Sequence, residues 1–373
     1  MKFGILLLTI LLLTACSSNP IEQALASDHP AIARVMDSLP QHEVQILWTQ
    51  IDTTEEGTLR FQDHSFQVVK TQYFYPASTV KLPMAILAAE YISEHPPLNL
   101  DVNYVSKRDS IIHTVADDIR QIFAVSDNEA YNRLYEALGR DYVNERLEAL
   151  DLNPVRISHR LSTAEASAAQ RSNVKFFPTY EGDIVELGNR TDTPIKKIEA
   201  KGLHKGHAFI KDGAVIQTPF DFSQKNYFPL QTQHDLMKRV FFPEQFRESE
   251  RFKLTQENRD RLVKAMQTLP RNAGYNEKDQ SDSYVKFFLY GDLKDRIPEH
   301  IKIYNKVGYA YGTLTETAYI VDEKTGVQFL LSATILVNEN RIFNDDIYEY
   351  ETIGIPFLAQ LGREVYQQEL DRK

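Results

Sequence analysis

The hydrophobic pattern changes period along this chain, and each change marks an element. Val44-Gln45-Ile46-Leu47-Trp48-Thr49-Gln50-Ile51-Asp52 is apolar and β-branched enough for a strand, and residues 65–73 alternate as its partner across a turn at Glu55-Glu56-Gly57. The repeat then lengthens to that of a helix. Leu82, Ile86 and Leu87 share one apolar face of a helix that cannot extend upstream past Pro76. Helical spacing returns over residues 115–125, 142–150, 232–241 and 255–269, the last opened by Thr255 with Asn258 three residues on and closed by Pro270. Three strand-like runs follow at 301–308, 313–322 and 327–337, with Lys324-Thr325-Gly326 turning the last pair, and residues 345–368 form a closing helix. Strands at both ends with helices between them predict a mixed α/β (α+β) fold. It consists of one antiparallel sheet built from the N- and C-terminal segments and flanked by helices, with an all-helical lobe inserted in the middle.

Residues 152–228 interrupt this order. Pro178, Gly182, Gly188, Pro194, Gly202 and Gly206 break any long periodicity, and a hairpin over 208–216 turning at Asp212-Gly213 is the one regular feature. We read about 162–230 as an insertion or lid within a single domain spanning 41–373. Residues 17–40 precede it as a polar tether with a short helical pattern from Ile21 to Met36.

Composition narrows the class. Hydrophobic residues make up 42% of the chain and charged ones 25%, values of an ordinary globular protein with a sizeable core. A formal net charge of −10 without a basic block excludes nucleic acid as a partner. None of the 10 histidines stands at metal-ligand spacing, and His204 and His207 read as a surface loop, so no metal and no cofactor is expected. Residues 1–16 carry a basic second residue and then an apolar run, the pattern of a signal peptide. Its end, Leu13-Thr14-Ala15-Cys16, resembles the bacterial lipobox, which implies lipid on Cys16 and a membrane partner through that lipid. Serine rather than aspartate at position 17 favours the outer membrane, facing the periplasm. The chain has 1 cysteine, so neither a disulfide framework nor a separate cysteine nucleophile is available.

The candidate chemistry sits where the first long helix begins. Ser78 and Lys81 are three apart, which places a hydroxyl and an amine on one helical face about a turn from each other. A serine is a weak nucleophile until a base takes its proton, and a lysine is that base only when desolvated into its neutral form. Two further short motifs follow in order. Ser126-Asp127-Asn128 lies between two helical patterns, where alone it reads as a helix N-cap. Lys306-Val307-Gly308 ends a strand, where a lysine can anchor a carboxylate and a glycine lets backbone approach the edge.

Together Ser-x-x-Lys, Ser-Asp-Asn and Lys-x-Gly resemble the penicillin-recognising serine enzymes, above all the class A β-lactamases and their penicillin-binding relatives. Phe74-Tyr75-Pro76-Ala77-Ser78 and the stretch from Tyr309 to Ala318 extend the likeness, which covers about residues 42–160 and 231–370. The resemblance implies that Ser78 is acylated, Lys81 accepts its proton and Ser126 relays a proton to the leaving nitrogen. It further implies that Asn128 binds an amide carbonyl, that Lys306 attracts a carboxylate beside Gly308, and that the backbone N–H groups of Ser78 and Tyr309 hold the oxyanion. Asp127 is read as structural. Two departures stand out. Val307 replaces a hydroxyl residue, and Ser158-His159-Arg160-Leu161-Ser162 occupies the place of the family's Glu-x-x-Leu-Asn segment, leaving His159 or Glu165 as substitute deacylation bases. The expected function is a lipid-anchored serine hydrolase opening a β-lactam or similar amide through an acyl-enzyme. The alternatives are a peptidoglycan D-Ala-D-Ala peptidase, with a peptidoglycan-derived substrate, and a slowly acylating penicillin-binding lipoprotein.

Overall fold

The computed structural model describes residues 19–178 and 183–373; the expected signal peptide and Cys16 lie outside the described residues. Its centre is a five-stranded sheet of β1 (Gln45–Thr53), β2 (Leu59–Phe66), β3 (Ile301–Ala310), β4 (Thr313–Asp322) and β5 (Val327–Leu336). The order is β3-β4-β5-β1-β2 and every pairing is antiparallel. The register Trp48↔Leu331 ties the N-terminal segment to the C-terminal one, as the split pattern of strands predicts. Side chains alternate across β1. Ile46 and Trp48 join the core on one face and Ile51 joins the core on the other.

One boundary differs from the sequence reading. The partner of β1 starts at Leu59, not at residue 65, because the connection closes at once: Thr54 N–H donates to Thr58 O at 2.8 Å, and Gly57 takes φ +81°. As an edge strand exposed on one side, β2 carries few apolar residues, so its alternation is faint. Residues 67–73 leave the sheet instead, and Tyr73 N–H donates to Lys201 O.

The longer helices are α1 (Pro20–Leu25), α2 (Pro30–Met36), α3 (Lys81–Glu94), α4 (Val115–Ala124), α5 (Asn128–Leu138), α6 (Arg140–Ala149), α7 (Leu230–Phe241), α8 (Gln256–Met266) and α9 (Ile355–Asp371). Two of them, α1 and α2, lie in the helical pattern expected from Ile21 to Met36, divided into two short helices. They bury Ile21, Leu25, Ile32 and Val35 in the same core as Phe357, Leu358 and Leu361 of α9, each such side chain contributing about 1.5–3 kcal/mol when fully buried. Trp48 closes this layer by donating to Glu369 Oε1 at 2.9 Å.

On the opposite face, α7 and the lobe of α3 to α6 with α8 bury a second core around Leu82, Ile86, Tyr131 and Met266. The lobe is mainly helical and also carries a small sheet of Ile112–Thr114, Asn103–Ser106, Val174–Phe177 and Val185–Glu186. α3 is apolar nearly all round, which suits a helix enclosed by other elements.

The segment at about 162–230 is held down at several points. Its hairpin turns at Asp212 (φ 51°) and Gly213 (φ 78°), both left-handed as a two-residue hairpin turn demands, and its first strand pairs with Ile342–Phe343. Phe222 and Tyr227 pack among Tyr73, Tyr75 and Phe343, and Arg156 exchanges backbone hydrogen bonds with Tyr227. Among the described residues no helix is long and apolar enough to cross a membrane.

Candidate active site

Pro76 ends the approach to α3, and Ala77–Val80 form a 3-10 turn that leads directly into the helix. Ala77 takes φ 46°, a left-handed conformation costly for a residue with a Cβ, and the sharp turn leaves Ser78 partly exposed while Thr79 and Lys81 are buried. Strand β3 runs against this turn. A Cβ added to Gly308 would lie 2.7 Å from Pro76 O and 2.9 Å from Ser78 N, so only glycine lets the strand edge meet the backbone at Ser78.

Lys81 Nζ lies 2.9 Å from Ser78 Oγ, 2.7 Å from Asn128 Oδ1 and 3.1 Å from Ser126 Oγ, and it also contacts the Ser126 carbonyl. Burial pushes this amine down to about 7, with the charge of Asp127 opposing the shift. A neutral amine has two protons and one lone pair. The Asn128 and Ser126 carbonyl oxygens accept the two protons, which leaves the lone pair for the hydroxyl proton of Ser78. Ser126 itself has φ 57°, and this turn points its carbonyl and its hydroxyl at one amine.

Lys306 completes the cluster, its Nζ 2.8 Å from Ser126 Oγ and donating to Val307 O at 2.9 Å. Burial lowers its pKa well below the ordinary value, the charges of Lys81 and Lys286 add to this, and Glu316 opposes it. Behind it, Lys286 reaches Asn305 and Glu316 accepts from Asn305 and from Phe288 N–H. Burial drives the Lys286 amine down and the Glu316 carboxyl up, so both shifts favour the uncharged forms of this buried pair. Val307 faces away into the apolar core with Phe287 and Val337.

Ser78, Ser126, Asn128, His159 and Tyr309 line one cavity of about 750 Å³, large enough for a small amide substrate. Asp127 is an N-cap, accepting from Ala130 N–H at 2.7 Å, which is the structural role expected of it. Asn128 also donates to Ser162 Oγ at 2.9 Å, so the 157–162 loop is fastened to the second motif. Helices α5 and α6 secure the rest of that loop: Asn132 and Leu161 exchange two hydrogen bonds of 2.9 Å, and Asn144 holds both polar groups of the Ile157 backbone at 2.7 Å.

The substitute bases separate. His159 reaches the cavity. Its Nδ1 lies 2.6 Å from Arg160 O, its buried Nε2 has no partner among the described residues, and burial pushes its pKa down to about 4. Glu165 is exposed and lines a different cavity with Arg108 and Arg171, because its loop turns outward to set the Ala168 and Gln170 carbonyls on the Arg160 guanidinium. Ser158, which the resemblance sets against the family's glutamate, is fully buried and donates to Gln224 O at 3.2 Å.

The sequence reading missed the aromatic wall formed by Tyr75, Tyr284, Tyr311, Tyr348 and Tyr350, and it missed Lys225 from the inserted segment. The frequency of tyrosine was visible, but nothing in periodicity says that residues so far apart in sequence meet. Among the described residues no group of three or more His, Cys, Asp or Glu side chains could hold a metal.

Residues 29–181 match the model of the β-lactamase enzyme family. Among solved structures, a class A β-lactamase from Mycobacterium abscessus superposes with a TM-score of 0.52 at 14% identity, covering 94% of this chain and 98% of that one. A representative class A β-lactamase from Bacteroides cellulosilyticus gives 0.53 at 12% identity, with 94% and 99% covered. A mutant of PBP-A, in an acyl-enzyme complex with penicillin G, gives 0.53 at 13% identity, with 94% and 96% covered. No curated protein matches by sequence. The fold is that of the penicillin-recognising serine enzymes.

Proposed function

We propose, for a chain with the fold of the penicillin-recognising serine enzymes, that it forms an acyl-enzyme on Ser78 with β-lactams or related amides and releases it slowly. The observation that carries this reading is Lys81 Nζ at 2.9 Å from Ser78 Oγ in a setting that holds the amine near neutral pH. Lys81 takes the hydroxyl proton as Oγ bonds to the carbonyl carbon. The oxyanion settles against the backbone N–H groups at Ser78 and Tyr309. The proton then passes through Ser126 Oγ to the amide nitrogen as the C–N bond breaks, and Lys306 holds the substrate carboxylate beside Ser126.

Slow release follows from the second half of the cycle. Water attacks an acyl-serine readily only when a base accepts its proton, and Ser158 offers a bound hydroxyl where the family resemblance leads one to expect a carboxylate. A peptidoglycan peptidase or penicillin-binding role is favoured over a fast β-lactamase by that same residue. The reading includes lipid on Cys16 and attachment at the outer membrane, supported by the lipobox resemblance. The discriminating experiment offers the protein a penicillin and a peptide ending in D-Ala-D-Ala. Release of D-alanine together with a persistent penicillin adduct is expected. Complete, rapid penicillin hydrolysis without peptide cleavage would overturn the proposal in favour of a β-lactamase.

A further inference from the structure

Lys225 is a cation in the Ser78 cavity that none of the three motifs supplies. It comes from the inserted segment, and Phe222 and Tyr227 on either side of it are buried in the aromatic cluster that fixes this segment against Tyr75. Its Nζ stands 5.8 Å from the centroid of Tyr311 and 5.9 Å from that of Phe220, within cation–π range. No carboxylate pairs with it among the described residues, and burial lowers its pKa. The two carboxylates that line the cavity are Asp127, which caps α5, and Asp346, which is exposed and whose charge acts on Tyr311 but which makes no ion pair with Lys225. Arg160, the other cation at this wall, is occupied by Glu136 and by two backbone carbonyls.

Position decides what this charge can meet. Lys306 stands with Ser126, where the leaving side of the amide lies. Lys225 lines the same cavity from the inserted segment, near enough to His159 for its charge to act on that ring, and His159 belongs to the loop that Asn128 holds through Ser162. An amide carbonyl held by Asn128 would carry its acyl side chain toward that loop. A half-buried ammonium without a counter-charge, held by ring faces and aimed into a substrate cavity, is stabilised most by an incoming anion.

We infer that Lys225 selects substrates bearing an anionic group on the acyl side, so that the preferred substrate carries two carboxylates, one for Lys306 and one for Lys225. This rests on the acyl-enzyme reading and adds a substrate class to it. The test measures second-order acylation rates for benzylpenicillin, whose side chain is neutral, and for carbenicillin, whose side chain carries a carboxylate. The ratio of carbenicillin to benzylpenicillin rates should fall about tenfold in Lys225→Gln and further in Lys225→Glu, and Lys225→Arg should restore most of it, as a charge-assisted contact requires. A ratio unchanged in Lys225→Gln and Lys225→Glu would overturn the inference while leaving acylation intact. Equal loss with both compounds would do the same by assigning Lys225 to the packing of the segment. Failure of both compounds to acylate wild type would instead overturn the acyl-enzyme reading, and the substrate assignment with it.

Discussion

Lys81 Nζ and Lys306 Nζ converge on one oxygen, Ser126 Oγ, at 3.1 and 2.8 Å. Two cations cannot share so small a buried space without cost. Burial lowers both amines, Lys81 to about 7, and the charge of Lys81 lowers Lys306 further. Ser126 Oγ lies between them, and in the proposed reading it carries the proton from Lys81 to the leaving nitrogen.

The lowered amine of Lys81 fixes a pH profile. The basic form of Lys81 exists above its pKa, so acylation should climb as pH rises through about 7, losing about tenfold per unit below it. Stopped-flow acylation with an anionic penicillin from about pH 5.5 to 8 measures this limb. A rate independent of pH below about 8 would contradict the role given to Lys81.

Gly308→Ala tests the contact between β3 and the nucleophile turn. The added Cβ would meet Pro76 O at 2.7 Å and Ser78 N at 2.9 Å, both rigid backbone, so the strand must move away. Moving an oxyanion donor costs about 10²–10³ in rate. Acylation should fall by that order while the far-UV spectrum stays native, and an unchanged acylation rate would show that the strand edge does not take part.

Sequence was informative here to the extent that chemistry is written locally. Ser78 and Lys81 are one helical turn apart, and the stretches at Ser126-Asp127-Asn128 and Thr255 open helices, so spacing made them candidates and the order of three motifs joined the first two to one site. The β3 to β5 run announced itself because each strand is ten residues long and buried on both faces. β2 was misplaced because an edge strand has one solvated face and a faint alternation. The packing of α1 and α2 could not be read, since six- and seven-residue helices gain their stability from α9, more than 300 residues away. Lys225 and the tyrosine wall were hidden for the same reason: they meet Ser78 only through tertiary structure.

His159 bears on the lifetime of the adduct. Burial holds its ring neutral down to about pH 4, so no imidazole titration should appear in the adduct's decay between about pH 5 and 8. Decay followed by mass in wild type and His159→Ala checks this. An inflection near about pH 6.5 present only in wild type would show a titrating imidazole at work there.

His234 sets an acid limit on stability. It is fully buried between Thr49 Oγ1 at 2.7 Å and Ser332 Oγ at 2.8 Å, and burial, with Lys238 adding to it and Asp63 opposing, lowers its pKa. The unfolded chain therefore takes up a proton below about 6.5 that the native state refuses, so the stability this neutral ring contributes is present above that pH and is lost as pH falls toward its folded value. The loss should approach about 1.4 kcal/mol per pH unit. Thermal midpoints from about pH 7 to 4.5 should fall more steeply in wild type than in His234→Gln, and parallel slopes would contradict the assignment.

The most direct test is the intact mass of the protein after mixing with benzylpenicillin. Wild type should gain the mass of one ring-opened penicillin, mapped to the peptide that contains Ser78, and the adduct should outlast the mixing by many minutes. Lys81→Ala should gain it about 10²–10⁴ times more slowly, as expected for loss of a general base. Ser78→Ala should gain nothing. An adduct on Ser78→Ala, or a wild type that neither acquires the mass nor consumes the penicillin, would contradict the assignment of Ser78 as nucleophile.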